Sequence, residues 1–201
     1  TAHEVNLLPL KIDKVELGGV PADLPLAQLG LSQRGINSAL RIRIACDGPQ
    51  NLGHLDFDRL ELFLSGPDIE ALKLLELVME HHAGIVCQTV SPHPQRQLLP
   101  SDALRQEGFE PDQALLPDDL RNFDGYRLLQ EYFAFPARFR FISLSGLSTL
   151  VQRCDSEKAF DIFILLDKSD EQLERVVDTS HLALHCTPVI NLFPKVAARQ
   201  K

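Results

Sequence analysis

No apolar run in these 201 residues approaches the roughly 20 that a bilayer-spanning helix needs. A secretory leader is not visible either. Thr1 is not an initiator, and Ala2-His3-Glu4 lacks a positive start followed by an apolar stretch. A clustered basic surface is missing as well. The formal net charge of -8 disfavours both nucleic acid and anionic membranes. The four cysteines, Cys46, Cys87, Cys154 and Cys186, form no C-x-x-C pair. Three lie inside apolar stretches, where a thiol behaves as a small hydrophobe. A reduced, cytoplasmic protein is expected.

The usual signatures of catalysis are absent too. Ser143-Leu144-Ser145-Gly146 lacks the leading glycine of a nucleophile elbow. Gly18-Gly19 is an isolated pair, and no phosphate-binding glycine pattern or H-E-x-x-H occurs. What remains is a chain of ordinary globular composition, 44% hydrophobic and 24% charged.

Periodicity divides the chain into elements. Leu8 to Leu17 reads as an entering strand. Leu40-Arg41-Ile42-Arg43-Ile44 alternates strictly, with leucine and isoleucines on one face and arginines on the other. Arg59 to Leu64 is a second such strand. Gly66-Pro67-Asp68 opens a helix whose apolar repeat is Ile69, Leu72, Leu75 and Met79, with Gly84 as its stop. Ile85 to Val90 is a third strand. In the second half, Arg138 to Leu144 reads as a strand. Phe160 to Leu166, apolar at nearly every position, reads as a central strand buried on both faces. Ser169 and Gln172 read as the capping box of a short helix. His181 to Cys186 alternates, with Leu182, Leu184 and Cys186 inward.

Both halves therefore follow strand, strand, helix, strand. The expected fold is α+β, with two related units, each a mixed or antiparallel sheet with a flanking helix, as an internal duplication would give. The first unit spans 1–95 and the second 123–201. A proline-rich connecting segment, 96–122, lies between them; long loops of this kind are usually functional or linkers.

One stretch is dense in large apolar groups: Asp124-Gly125-Tyr126-Arg127-Leu128-Leu129-Gln130-Glu131-Tyr132-Phe133-Ala134-Phe135-Pro136. It holds both tyrosines and two of the 11 phenylalanines. It reads as a helix stopped by Pro136. Leu128, Leu129, Tyr132 and Phe133 share one side, so the stretch is either a core helix, with both rings buried, or the seam where another subunit docks. In a core helix, truncating either ring should cost a few kcal/mol. Tyr126 and Phe135 fall toward other faces, which suits an interface.

Three segments together resemble the TssF family, also called ImpG or VasA, of type VI secretion baseplate proteins. They are Asp124–Pro136, Leu104–Pro117 with Gly108-Phe109-Glu110-Pro111-Asp112, and Cys186-Thr187-Pro188-Val189-Ile190-Asn191-Leu192-Phe193. The first half matches more loosely, through Arg59 to Gly66. Members of that family are longer, so the resemblance implies a middle fragment. It also implies a non-enzymatic role in the cytoplasmic baseplate wedge, docked at the inner-membrane complex. The partners implied are TssG, TssK, TssE, the VgrG spike and further copies of TssF. No cofactor, nucleic acid or membrane insertion is implied. Candidate interface residues are Tyr126, Arg127, Glu131, Phe135, Phe109, Asn191 and Phe193.

Two alternatives stand beside this reading. A metal-dependent hydrolase could use His181, His185 and Cys186, since i, i+4 histidines suit zinc on a helix. On a strand the same pair would stand too far apart to chelate. The pair His81-His82 with Cys87 is a weaker cluster, because adjacent residues on a helix point apart. A ligand-binding module would instead need a deep apolar pocket.

Overall fold

The strict alternation around Ile42 places a hydrophobic ladder at the centre of the molecule. A computed structural model describes residues 5–116, 123–154 and 156–191. In chain order these form β1 (Leu10–Gly18), β2 (Ser38–Cys46), β3 (Leu60–Leu64), α1 (Asp68–Glu80), β4 (His82–Thr89), β5 (Arg96–Leu99) and β6 (Leu104–Gln106). They continue as α2 (Asp124–Ala134), β7 (Phe141–Leu144), α3 (Ser148–Val151), β8 (Ala159–Leu166), α4 (Glu171–Val176) and β9 (Leu182–Ala183). The fold is α+β, with two antiparallel sheets in the orders β1-β2-β8-β4-β5 and β6-β7-β3-β9.

β8 is the middle strand of the larger sheet, and Phe160 to Leu166 are all buried, as its unbroken apolar run requires. Leu40, Ile42, Ile44, Ile162 and Ile164 meet in the main core. Each such side chain contributes about 1.5–3 kcal/mol through burial. The one acid on β8, Asp161, is buried between Arg41 and Arg43. Arg41 Nη2 donates to it at 2.6 Å, and Arg43 donates through Nε at 2.7 Å and Nη2 at 2.9 Å. Burial alone would raise the Asp161 pKa; the two guanidiniums outweigh it and hold the carboxyl below its usual range. On the same side of the sheet, Leu24 and Leu31 of the loop after β1 cover Ala39, Val86, Phe163 and Leu165. Gly84 lies within β4 instead of stopping α1: a Cβ there would sit 3.3 Å from Leu31 Cδ2.

The two sheets repeat one plan. β1, β2, β3, α1, β4 correspond in order to β6, β7, β8, α4, β9. Four neighbours of one sheet, β1-β2-β8-β4, match the whole of the other, β6-β7-β3-β9, with β3 and β8 exchanged. The register agrees. Ile42 pairs with Ile162 and Leu62 with Ile142, and a step of 100 positions converts one pair into the other. An internal duplication with swapped third strands produces this pattern. The sequence halves 1–95 and 123–201 therefore do not coincide with the two sheets. The proline-rich segment supplies two edge strands, β5 and β6.

Several local expectations change. Ile69 and Leu72 are exposed, and α1 buries Ala71, Leu74, Leu75, Leu77 and Val78. Two overlapping rows had helical spacing, and contact with the sheets selects the second. Pro136–Phe139 is a 3-10 turn, so β7 starts only at Phe141. Asp170, not Ser169, caps α4, accepting from the amides of Gln172 and Leu173 at 2.9 and 3.1 Å.

Because each sheet needs a strand from the other half, residues 1–122 and 123–201 made separately should show no cooperative unfolding, and should regain it when co-expressed. Calorimetry of the two fragments checks this; a cooperative melt of either alone contradicts it.

Candidate functional site

The helix α2 forms over the predicted residues and ends as its sequence dictates. Phe135 leaves helical geometry before Pro136, while its amide still donates to the Glu131 carbonyl at 2.8 Å. Its orientation is the opposite of what the apolar residues suggest. Phe133 is 80% exposed, Tyr126 65%, Leu129 55% and Tyr132 50%. Arg127 and Glu131, one helical turn apart, are buried. The core-helix reading, with the rings of Tyr132 and Phe133 buried, is thus overturned: the inward face of α2 is committed to charge.

Much of that charge is engaged, although the Nε atoms of Arg127 and Arg138 are buried with no hydrogen-bond partner among the described residues. Glu131 Oε1 accepts from the amides of Leu115 at 3.0 Å and Leu116 at 2.9 Å, and lies 3.5 Å from Arg127 Nη1. Its other oxygen pairs with Arg138. Arg138, fully buried, donates through Nη2 to the carbonyls of Gly108 at 2.5 Å and Gln113 at 3.0 Å, and its guanidinium lies over the Phe139 ring at 4.8 Å. Burial, aided by the Arg127 charge, pushes Arg138 down to about 10, so it stays protonated at neutral pH. Gly108 has φ +102, and a Cβ there would come 3.1 Å from the Arg138 carbonyl.

A second polar cluster ties the same segment to the smaller sheet. Glu107 accepts from Arg59 Nη2 at 2.7 Å and from the Ser143 hydroxyl and the Gln113 amide. Gln113 Oε1 accepts from the Gly108 amide at 2.6 Å. The rings of Phe109 and Tyr132 stand 5.3 and 5.8 Å from that of Phe139. Residues 107–116, α2 and the following turn therefore form one polar-centred unit with aromatics around it. On its outer side Tyr126, Leu129, Gln130 and Phe133 form an open, uncharged face along the helix.

Of the seven candidate interface residues, Tyr126, Phe109, Phe135 and Asn191 are exposed to different degrees. Arg127 and Glu131 are buried, and Phe193 lies outside the described residues. Arg138, the partner that decides the orientation of α2, has only the sequence signature of a strand residue, but it lies in the 3-10 turn Pro136–Phe139. The visible signal was the i, i+4 pair Arg127 and Glu131 opposite an aromatic face.

The proposed zinc residues do not converge. β9 is only two residues long, and His185 breaks it with φ 58. His181 is buried, with Nε2 3.1 Å from Glu70 Oε2 and Nδ1 3.1 Å from Asp178 Oδ1. Burial would lower its pKa; hydrogen bonds to Glu70 and Asp178 outweigh that and raise it. His81 pairs with Asp167 at 2.9 Å, while His82 Nδ1 lies 3.1 Å from two carbonyls of α1. Among the described residues, no group of three or more histidine, cysteine or acidic side chains is placed to hold a metal.

The family model for the type VI secretion system protein TssF matches residues 1–200. The chain belongs to the TssF family. It is 39% identical over 198 residues to the type VI secretion system component TssF1 of Pseudomonas aeruginosa, an alignment spanning 97% of this chain and 31% of that protein. Its fold is similar to a chain in the cryo-electron microscopy structure of the TssK-TssF-TssG baseplate subcomplex, with TM-score 0.73 and 27% identity over 96% of this chain and 33% of that chain. The TssF-family chain described here spans about a third of the length of these relatives.

Two outcomes follow from the geometry. Phe133→Ser should leave the unfolding free energy within about 0.5 kcal/mol, as at other exposed sites. Phe139→Ala, at a buried ring, should cost about 3–5 kcal/mol. Denaturant titration checks both, and a loss of several kcal/mol at Phe133 contradicts the exposed face. The raised His181 pKa gives stability that is complete below the unfolded value of about 6.5 and lost as pH rises through the folded value. The stabilities of the wild type and His181→Gln should therefore converge on raising the pH from about 6. A gap that widens instead would contradict the pairing.

Proposed function

We propose that this chain is part of a structural subunit of the type VI secretion baseplate wedge. The wedge is a platform, like those of contractile phages, on which sheath and tube assembly begins. The observation that carries the reading is the outward aromatic face of α2, held out by a buried ionic set on its inner side. Membership of the TssF family and similarity to a chain of the TssK-TssF-TssG subcomplex support it. The role is that of a scaffold, not a catalyst. TssE, the VgrG spike and a second TssF copy are further neighbours in such a platform, which docks at the inner-membrane complex.

The partner of the α2 face is proposed to be TssG. Phe123, Tyr126, Leu129, Gln130 and Phe133 carry no charge, although the whole chain has a net charge of -8. A partner there must offer apolar surface and not a basic or acidic patch. Exposed aromatics of this kind, once covered, are the residues that dominate binding energy, at roughly 2 kcal/mol or more each.

The test uses the full-length protein that contains this chain, with Tyr126→Ser and Phe133→Ser together, co-purified with TssG and TssK. Loss of TssG is expected. Unchanged recovery of both contradicts the docking face; loss of TssK alone overturns the choice of partner.

A further inference from the structure

We propose that Glu131 is a latch: its carboxylate fastens α2 onto Leu115, Leu116 and Arg138, and α2 comes off without unfolding the sheets, while Glu107 still ties the start of the 107–116 segment to the smaller sheet. The proposal deepens the docking reading above, because the latch sets the direction of the face that would meet a partner.

The first ground is where the contacts of α2 lie. Tyr126, Leu129, Tyr132 and Phe133 face outward, only Leu128 among its large apolar side chains is half-buried, and the element it packs against most is the 3-10 turn Pro136–Phe139 that follows it. The sheets, by contrast, share one continuous apolar core that includes neither α2 nor residues 107–116. Loss of α2 would therefore remove little from that core.

The second ground is how many segments meet at one group. Glu131 Oε1 takes both the Leu115 and Leu116 amides, at 3.0 and 2.9 Å, and the second oxygen takes Arg138. Arg138 in turn holds the Gly108 and Gln113 carbonyls. Removing the Glu131 charge strands two buried cations, Arg127 and Arg138, and frees both amides at once. A buried ion pair broken on one side is strongly destabilising, because the remaining charge has no compensation. Only α2 can relieve it, by opening to water.

Regions held by few apolar contacts open locally before the whole protein unfolds. α2 meets that description, and β8 is its opposite. A detachable helix would also let the aromatic face adjust its angle when it docks.

The experiment is hydrogen exchange on the full-length protein carrying Glu131→Gln, with TssG co-purification in parallel. Amides of α2 and of Leu115 and Leu116 should exchange at least about a hundredfold faster than in the wild type. Those of Phe160 to Leu166 should be unchanged, and TssG recovery should fall. Equal acceleration in β8 would overturn the proposal, since α2 would then not be separable; so would no acceleration at all. Loosened α2 with full TssG recovery would leave the latch standing and sink the docking reading. Should the variant fail to accumulate, the wild type in graded low urea decides: α2 amides must open at lower free energy than those of β8. Coincident opening overturns the proposal.

Discussion

A carboxylate taken out of water must be met by cations or amide donors, and Glu131 meets both. Four groups converge on it: two backbone amides and two guanidiniums. This constraint turns α2 over. With charge inward, the rings of Tyr126 and Phe133 have nowhere to go but out. The exposed aromatic face is thus a consequence of the buried ionic set. The same set fixes residues 107–116, because Arg138 uses the carbonyls of Gly108 and Gln113.

The two-sheet body is a stable frame for this arrangement. Each sheet borrows its third strand from the other half of the chain, so neither sheet closes its core alone. Asp161 shows the other use of a buried acid. Clamped by Arg41 and Arg43, it braces the middle of the larger sheet. One acid stiffens the body and the other fastens an appendage to it.

Much of the fold was legible because alternation and apolar runs report burial directly. β2 and β8 fell where the pattern put them, and the limits of α2 followed from its sequence and from Pro136. The repeated element order was visible as well, but the exchange of β3 and β8 was not. Strand order within a sheet depends on long-range pairing that no local pattern encodes. The candidate site failed in a different way. Counting apolar residues on α2 assumes that the apolar side is the inner one. That holds only when no stronger demand exists on the opposite face, and the partners of Arg127 and Glu131 lie elsewhere in the chain. Arg138 looked like one face of a strand, and its role depends on Gly108, Gln113 and Glu131 being brought around it. His181 shows the same limit. It reads as an outward strand residue, yet Glu70 and Asp178 bury it as a structural pair.

The ring face of α2 is bare on this chain, and the proposed docking role requires a partner to cover it. Hydroxyl-radical footprinting of the full-length protein, free and within a purified TssK-TssF-TssG complex, measures this most directly. Tyr126 and Phe133 should label strongly when free and be protected several-fold in the complex, with Ile69 on α1 as an internal reference. Equal labelling of both rings in the two states would contradict the account.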